Sequence, residues 1–137
     1  TDYGTNWAVT DVTAKFKAHG NGSDRHKGEG LAVDPNLGSI LFCGTRANGL
    51  WKSTDSGVTW NAVSGLSVGS SSISFVQFDK RTGTAGNPTQ RIFVGVFRTG
   101  TNLYVSNDGG GNGQPWFLID ATRAIKPIAP SESKLGS

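Results

Sequence analysis

Ten carboxylates, two histidines and one cysteine are the side chains of this 137-residue chain that could move a proton, hold a metal or attack an electrophile. Their surroundings sort them. Asp2, Asp55 and Asp108 each stand two residues before a glycine in a recurring box, where an Asp locks a turn. Asp34 and Asp79 end equivalent apolar runs and read as turn caps, while Asp11, Asp120 and Glu132 fall on or beyond outer strands or in the tail. Asp24 and Glu29 remain, five residues apart on the polar loop 19–30. General acid–base work wants two carboxylates disposed across the reacting bond, and two on one loop do not supply that, so no catalytic residue is assigned. His19 and His26 lack a third ligand at metal spacing. Cys43 is alone inside the apolar run 40–43, which reads as a buried thiol and excludes an internal disulfide or a cysteine-based zinc site. Neither a metal nor a cofactor is expected.

The elements that must carry these residues follow from a repeat. Asp2, Asp55 and Asp108 recur at two equal steps of 53 residues, and Trp7 and Trp60 keep the same step. The third box reaches Trp116 late, through the extra residues 111–115. Leu50-Trp51-Lys52-Ser53 matches Leu103-Tyr104-Val105-Ser106, Leu31-Ala32-Val33-Asp34 resembles Val76-Gln77-Phe78-Asp79, and Ile40-Leu41-Phe42-Cys43-Gly44 resembles Ile92-Phe93-Val94-Gly95. These short runs are rich in β-branched and aromatic residues and bounded by Gly, Asn, Asp or Pro, which is strand chemistry. The reading is four strands per period, at 29–34, 39–45, 49–54 and 59–64, then 73–79, 91–97, 102–107 and 115–120, with a leading strand at 7–13. Four short antiparallel strands per repeat of this size make a propeller blade.

The expected fold is therefore all-β: two four-stranded propeller blades plus one extra strand, an incomplete propeller. The divisions are an outer strand of a preceding blade at 1–13, blades at 14–66 and 67–120, and a tail at 121–137 whose last five residues read as a cloning remnant. A closed ring takes about 4–8 blades, so the chain is expected either to be a fragment of a larger propeller or to close by assembling copies, with the fragment favoured. Two blades alone leave strand edges and faces uncovered, so association with itself or with the remaining blades of a parent chain is expected.

Composition agrees. Glycine, at 20 residues, is about twice its usual share, and charged residues, at 17%, fall below the usual quarter or so. The net charge of +3 is dispersed, which argues against a nucleic-acid partner. No apolar run approaches the length of a membrane span, and the polar start without Met reads as a mature or excised chain.

The box has a physical role of its own. Ser53, Asp55, Gly57 and Trp60, with counterparts Ser106, Asp108 and Trp116 and an earlier Asp2, Gly4 and Trp7, place a turn between the third and fourth strands. The carboxylate accepts backbone N–H bonds across the turn, the glycine supplies a positive φ, and the indole packs back on the hairpin. The pattern resembles the Asp-box of bacterial-neuraminidase-type repeats, which specifies fold better than function. The longer stretch from Gly28 to Asn36, followed by Gly44 to Trp60, closely resembles glycoside hydrolase family 74, the xyloglucanases and oligoxyloglucan hydrolases, and Arg91-Ile92-Phe93-Val94-Gly95-Val96 resembles the following blade. Gly30 stands where the family usually has Arg, and the third box carries an insertion.

The resemblance implies a secreted, extracellular enzyme of two seven-bladed propellers that cleaves the β-1,4-glucan backbone of xyloglucan with inversion. Inversion takes an acid and a base carboxyl about 6.5–9.5 Å apart. The resemblance assigns this chain to an early part of the N-terminal propeller, with neither catalytic aspartate in it. What it leaves here is contact with xyloglucan or a related β-glucan. Planar polar side chains suited to sugar hydroxyls are Arg25 and Glu29 on one loop, Arg46 and Asn48 on a second, and Arg98 on the equivalent third. Trp51 and Tyr104 occupy matching strand positions and read as blade packing. The competing class is a non-enzymatic Asp-box interaction module, which would ignore the polysaccharide. A sialidase is disfavoured, because Tyr3 and Tyr104 lie in box or strand positions, away from any arginine cluster.

Overall fold

The computed structural model describes residues 4–17, 30–66, 68–69, 71–97, 102–111 and 116–119. They form two four-stranded antiparallel sheets, each a meander whose neighbours in sequence are neighbours in space. The first is β1 (Gly30–Val33), β2 (Leu41–Gly44), β3 (Leu50–Ser53) and β4 (Asn61–Ala62). The second is β5 (Ser72–Phe78), β6 (Ile92–Phe97), β7 (Leu103–Ser106) and β8 (Phe117–Leu118). A short 3₁₀ turn at Lys80–Thr82 interrupts the β5–β6 connection. The eight strands fall where alternation and turn residues put them, most of them trimmed at their ends; β5 begins one residue earlier than expected, at Ser72, and β6 keeps the expected end at Phe97.

The registers of the two sheets correspond. Ala32 faces Phe42 and Phe42 faces Lys52, as Gln77 faces Phe93 and Phe93 faces Val105. Successive strand residues point to opposite faces, so each sheet has two distinct faces. Phe42 and Leu50 of the first sheet pack against Ile73, Ile92, Val94 and Val96 of the second. Burying each such side chain stabilises the fold by about 1.5–3 kcal/mol. Phe42 meets Phe78 edge-on at 5.8 Å, partway down this seam.

The close approach of the sheets depends on Gly44. A Cβ there would collide with Ile73, whose side chain is 1% exposed. The Ile73 amide donates to the Thr45 carbonyl at 3.0 Å, tying the start of β5 to the end of β2. The register of β5 on β6 shifts between Ile73 and Phe75, a bulge that re-aims side chains and turns Ile73 into the core.

The leading strand expected over 7–13 does not form. A strand needs a ladder partner, and none lies beside these residues among the described ones. Residues 7–10 run exposed, and the chain then turns, with the Lys15 and Phe16 amides donating to the Val12 carbonyl at 2.8 and 3.0 Å. Phe16 buries its ring against Trp51 and Trp60, at centroid distances of 4.8 and 5.8 Å.

A glycine-to-alanine change usually stabilises by restricting the unfolded chain, but Gly44→Ala is expected to cost about 1–3 kcal/mol through overpacking. Urea unfolding measures it. Placed together with Ile73→Gly, which removes both the Cγ2 and the Cβ that a Cβ at position 44 would meet, its cost is expected to shrink, giving clear non-additivity.

Candidate functional site

The meander sorts the connections to two ends. The β2–β3 loop, the end of β6 and the starts of β5 and β7 lie at one end, and the β1–β2, β3–β4 and β5–β6 connections at the other. The two ends differ in chemistry.

At the first end, the loop 45–49 presents Arg46, Ala47 and Asn48 to solvent. Thr45 builds it from below and is 3% exposed. Its amide and its hydroxyl both donate to the Gly49 carbonyl, at 3.0 and 2.7 Å, and its hydroxyl accepts from the Asn48 amide at 2.8 Å. Gly49 closes the loop at φ 73°. The Trp51 indole N–H donates to the Asn48 carbonyl at 2.8 Å, and Asn48 Oδ1 accepts from the Lys17 amide at 3.3 Å. Asn48 thus steadies the segment arriving from Phe16 as well as standing at the exposed tip. Arg46 and Asn48 share this one loop. Arg25, Glu29 and Arg98 lie outside the described residues. Trp51 packs on Phe16, and Tyr104 packs against the core.

At the second end, the boxes are hairpin locks. Ser53 is fully buried. Its Oγ donates to Asp55 Oδ1 at 2.8 Å and accepts from the Gly57 amide at 2.8 Å. Asp55 accepts from the Thr59 amide at 2.8 Å and the Thr59 hydroxyl at 2.6 Å. The Trp60 indole N–H closes on the Gly57 carbonyl at 2.9 Å. Ser106 and Asp108 repeat the arrangement: Ser106 Oγ donates to Asp108 at 2.6 Å and accepts from Gly110 at 2.9 Å, and the Gly111 amide reaches Asp108 at 3.3 Å. Gly57 sits at φ 90° under the Trp60 ring, as Gly4 at φ 81° sits under Trp7 and Gly110 at φ 64° under Trp116. Trp7 is 86% exposed, whereas Trp60 and Trp116 are buried. Asp2 lies outside the described residues.

Between the sheets, the same end holds a junction that sequence reasoning missed. Asp34 caps its own turn, accepting from the Asn36 amide at 2.8 Å as expected. It also crosses to the second sheet, accepting from the Thr89 amide at 2.8 Å and the Thr89 hydroxyl at 2.6 Å. Asn36 Nδ2 bonds the same Thr89 hydroxyl and the Lys80 carbonyl, both at 2.9 Å. Lys52 reaches over the Phe42 ring to donate to the Gly109 carbonyl at 2.8 Å. The only sequence signal is a polar cluster, Asn87-Pro88-Thr89-Gln90, between the strands expected at 73–79 and 91–97.

Asp34, Asp55 and Asp79 at this end are held ionised. The Thr59 hydroxyl and amide pull Asp55 down to about 2 from an ordinary 3.8, against a small opposing effect of burial. Burial pushes Asp34 up, but the donors from Thr89, Asn36 and Leu37 outweigh it and leave it below its ordinary value. The Arg81 guanidinium, bonded to Asp79 at 2.9 Å, holds that carboxyl down with help from Arg91 at 3.7 Å. Burial lowers Lys52, opposed by the charges of Asp108 and Asp34, and burial raises the Cys43 thiol. A general acid at neutral pH needs the opposite shift. These carboxylates act as acceptors that fix turns and the sheet junction. Among the described residues no group of three His, Cys, Asp or Glu side chains is gathered to hold a metal.

The chain is similar to several known proteins. The xyloglucanase Xgh74A of Acetivibrio thermocellus is 42% identical over 125 residues, covering 80% of this chain. The xyloglucanase of Hypocrea jecorina is 38% identical over 149 residues, covering 92%. The crystal structure of the Niastella koreensis GH74 enzyme matches with a TM-score of 0.70 and 47% identity over 85% of the chain. The chain is homologous to the glycoside hydrolase family 74 xyloglucanases. The GH74 xyloglucanase of Xanthomonas campestris matches at 38% identity with a TM-score of 0.67 over 82% of the chain. The two sheets are thus propeller blades similar to part of these GH74 enzymes. The chain spans 15% of the Acetivibrio protein and 18% of the Hypocrea protein, so it corresponds to a small part of them. A model of the Mu-like prophage major head subunit gpT also matches residues 90–134, a minority of the chain.

Two outcomes test the box. Ser53→Ala strips the lock of its central hydroxyl and is expected to cost about 1–3 kcal/mol, since the Gly57 amide loses its acceptor. The lowered Asp55 carboxyl binds fewer protons folded than unfolded, so its contribution is full above about pH 4 and lost as pH falls through about 2. The stability gap between wild type and Asp55→Asn, followed by chemical unfolding from pH 6 to pH 2, is expected to close over that window.

Proposed function

We propose that this chain is a two-blade part of a secreted, extracellular xyloglucan-degrading glycoside hydrolase, with residues 14–66 and 67–120 as its blade units. The observation that carries the reading is the 47% identity over 85% of the chain to a GH74 enzyme with a matching backbone. In the parent enzyme the reaction is inverting hydrolysis of the β-1,4-glucan backbone, and the acid and base carboxyls come from outside this chain. What the chain contributes is part of the surface against which the polysaccharide lies.

That surface is the end carrying loop 45–49. Arg46 and Asn48 stand there on a loop braced by Thr45 and Gly49, and a braced loop costs little ordering on binding. Arg25, Glu29 and Arg98, which lie in the 18–29 and 98–101 connections of the sequence, are the further candidates. The box end, by contrast, has its carboxylates engaged internally.

The chain alone is expected to release no reducing ends from xyloglucan above the blank. It is expected to bind xyloglucan weakly and saturably, read by retardation in affinity electrophoresis. Arg46→Ala is expected to weaken binding by about tenfold, the size of one charge-assisted hydrogen bond. Retardation by neither xyloglucan nor unsubstituted β-glucan would favour a non-enzymatic interaction module. Hydrolysis by the chain itself, abolished by Glu29→Gln, would overturn the assignment of the catalytic carboxyls elsewhere.

A further inference from the structure

The loop 45–49 is tied to a segment from elsewhere in the sequence. Residues 15–17 make three successive contacts with the first sheet and its connections. Lys15 Nζ donates to the Trp60 carbonyl at 2.6 Å, and the buried Phe16 ring packs on Trp51 and Trp60. The Lys17 amide then donates to Asn48 Oδ1 at 3.3 Å. The buried ring fixes the segment, and the Lys17 amide is thereby held against the tip of the loop.

This contact decides which way round the Asn48 carboxamide stands. A carboxamide carries an acceptor at Oδ1 and two donors at Nδ2. A backbone N–H only donates, so the atom facing Lys17 is the oxygen. The other polar groups of Asn48 are also spent: its amide donates to the Thr45 hydroxyl at 2.8 Å, and its carbonyl accepts from the Trp51 indole at 2.8 Å. Asn48 is exposed, and among the described residues nothing accepts from its Nδ2. Neighbouring carbonyls are engaged too. Thr45 accepts from the Ile73 amide at 3.0 Å, and Gly49 accepts from the Thr45 amide and hydroxyl. Arg46 brings a guanidinium, which has donors and no acceptor. The side chains of the tip thus offer donors, whereas Asn48 Oδ1 and the carbonyls of Thr45, Asn48 and Gly49 bond inward.

We propose that Asn48 is a specificity-determining donor, held by the Lys17 amide, that recognises a proton-free oxygen of the sugar chain, a ring or glycosidic ether oxygen. The proposal rests on the reading of loop 45–49 as polysaccharide surface. The chemistry of the tip discriminates between sugar oxygens. A hydroxyl brings a proton that needs an acceptor once water is displaced, and the acceptors here are turned inward. An ether oxygen brings only lone pairs, which Nδ2 satisfies. Every β-1,4-linked glucose carries such oxygens in its ring and its linkage, whatever its substituents. A carboxamide bonded at its oxygen also has less rotamer freedom to lose on binding.

Asn48→Asp is the deciding variant. It keeps the shape and the acceptor for Lys17 but replaces the outward donor by a second acceptor. In affinity electrophoresis of the 137-residue chain on xyloglucan it is expected to bind about tenfold more weakly, or worse, with a urea midpoint no lower than that of wild type. The same loss is expected when Asn48→Asp is placed on Arg46→Ala, where the new carboxylate has no Arg46 to capture. Without ligand, Asn48→Ala is expected to speed hydrogen exchange at the Lys17 amide, and Asn48→Asp to leave it slow. In wild type the Asn48 side-chain NH₂ resonances are expected to shift as a xyloglucan oligosaccharide is added. A wild type that binds, beside an Asn48→Asp that binds equally well, overturns this proposal and leaves the reading of the surface standing. So do NH₂ resonances that stay fixed while others move, and so does a Lys17 amide indifferent to Asn48→Ala. A wild type that binds no xyloglucan overturns both.

Discussion

One buried carboxylate governs how the two sheets sit. Asp34 is 2% exposed and would be costly to ionise without donors. It is ionised because Thr89 offers it both an amide and a hydroxyl while Asn36 offers an amide. Those donors come from two sheets, so the charge is satisfied only when the sheets are docked in one orientation. Hydrophobic burial drives the sheets together without strongly preferring an angle. The Asp34 bridge, with Asn36 reaching to Lys80 and Thr89, selects the angle. The remaining contacts of this end follow: Gly86 donates to the Asn36 carbonyl, Gly109 to Gln90, and Lys52 to Gly109.

The fold was legible in the sequence wherever its cause was local. A strand betrays itself by alternation and by the turn residues that bound it, and the box repeats with its spacing intact. Position by position the eight strands emerged from that reading. Ser53, Asp55 and Gly57 carry their own partners within a few residues, and their bonds are those their types predict. Asp34 was half legible. Its turn cap is local and was foreseen, but Thr89 lies 55 residues away and no pattern in one sequence joins them. The strand proposed at 7–13 failed for the complementary reason: alternation states what a segment could pair with, whereas pairing needs a neighbour. Asn48 was legible as an exposed polar residue and not as the anchor for Lys17, since that bond is also made across the chain.

The candidate site was less legible than the fold because recognition residues leave no periodicity. Arg46 and Asn48 were singled out by residue type and by sitting between strands. What the structure adds is the bracing beneath them. Thr45 is buried, bonds the loop through both its amide and its hydroxyl, and offers its carbonyl to Ile73 of the other sheet. The same residue therefore ties the loop to the seam, so that the position of the exposed tip depends on the docking that Asp34 orients at the far end.

The box end shows what structural work this repeat gives to aspartate. Aspartate is used at the box end as a fixed acceptor, and every hydrogen bond it receives from Thr59, Thr89 or Arg81 drives its carboxyl down. Catalytic acids need the reverse, a carboxyl whose neighbours oppose its charge. A residue that has satisfied its charge with backbone and hydroxyl donors in order to hold a turn is thereby unsuited to give up a proton near neutrality. The abundance of aspartate in such repeats is thus a poor guide to chemistry. A carboxylate that works on a substrate is to be sought where such donors are few, which is not the character of the boxes.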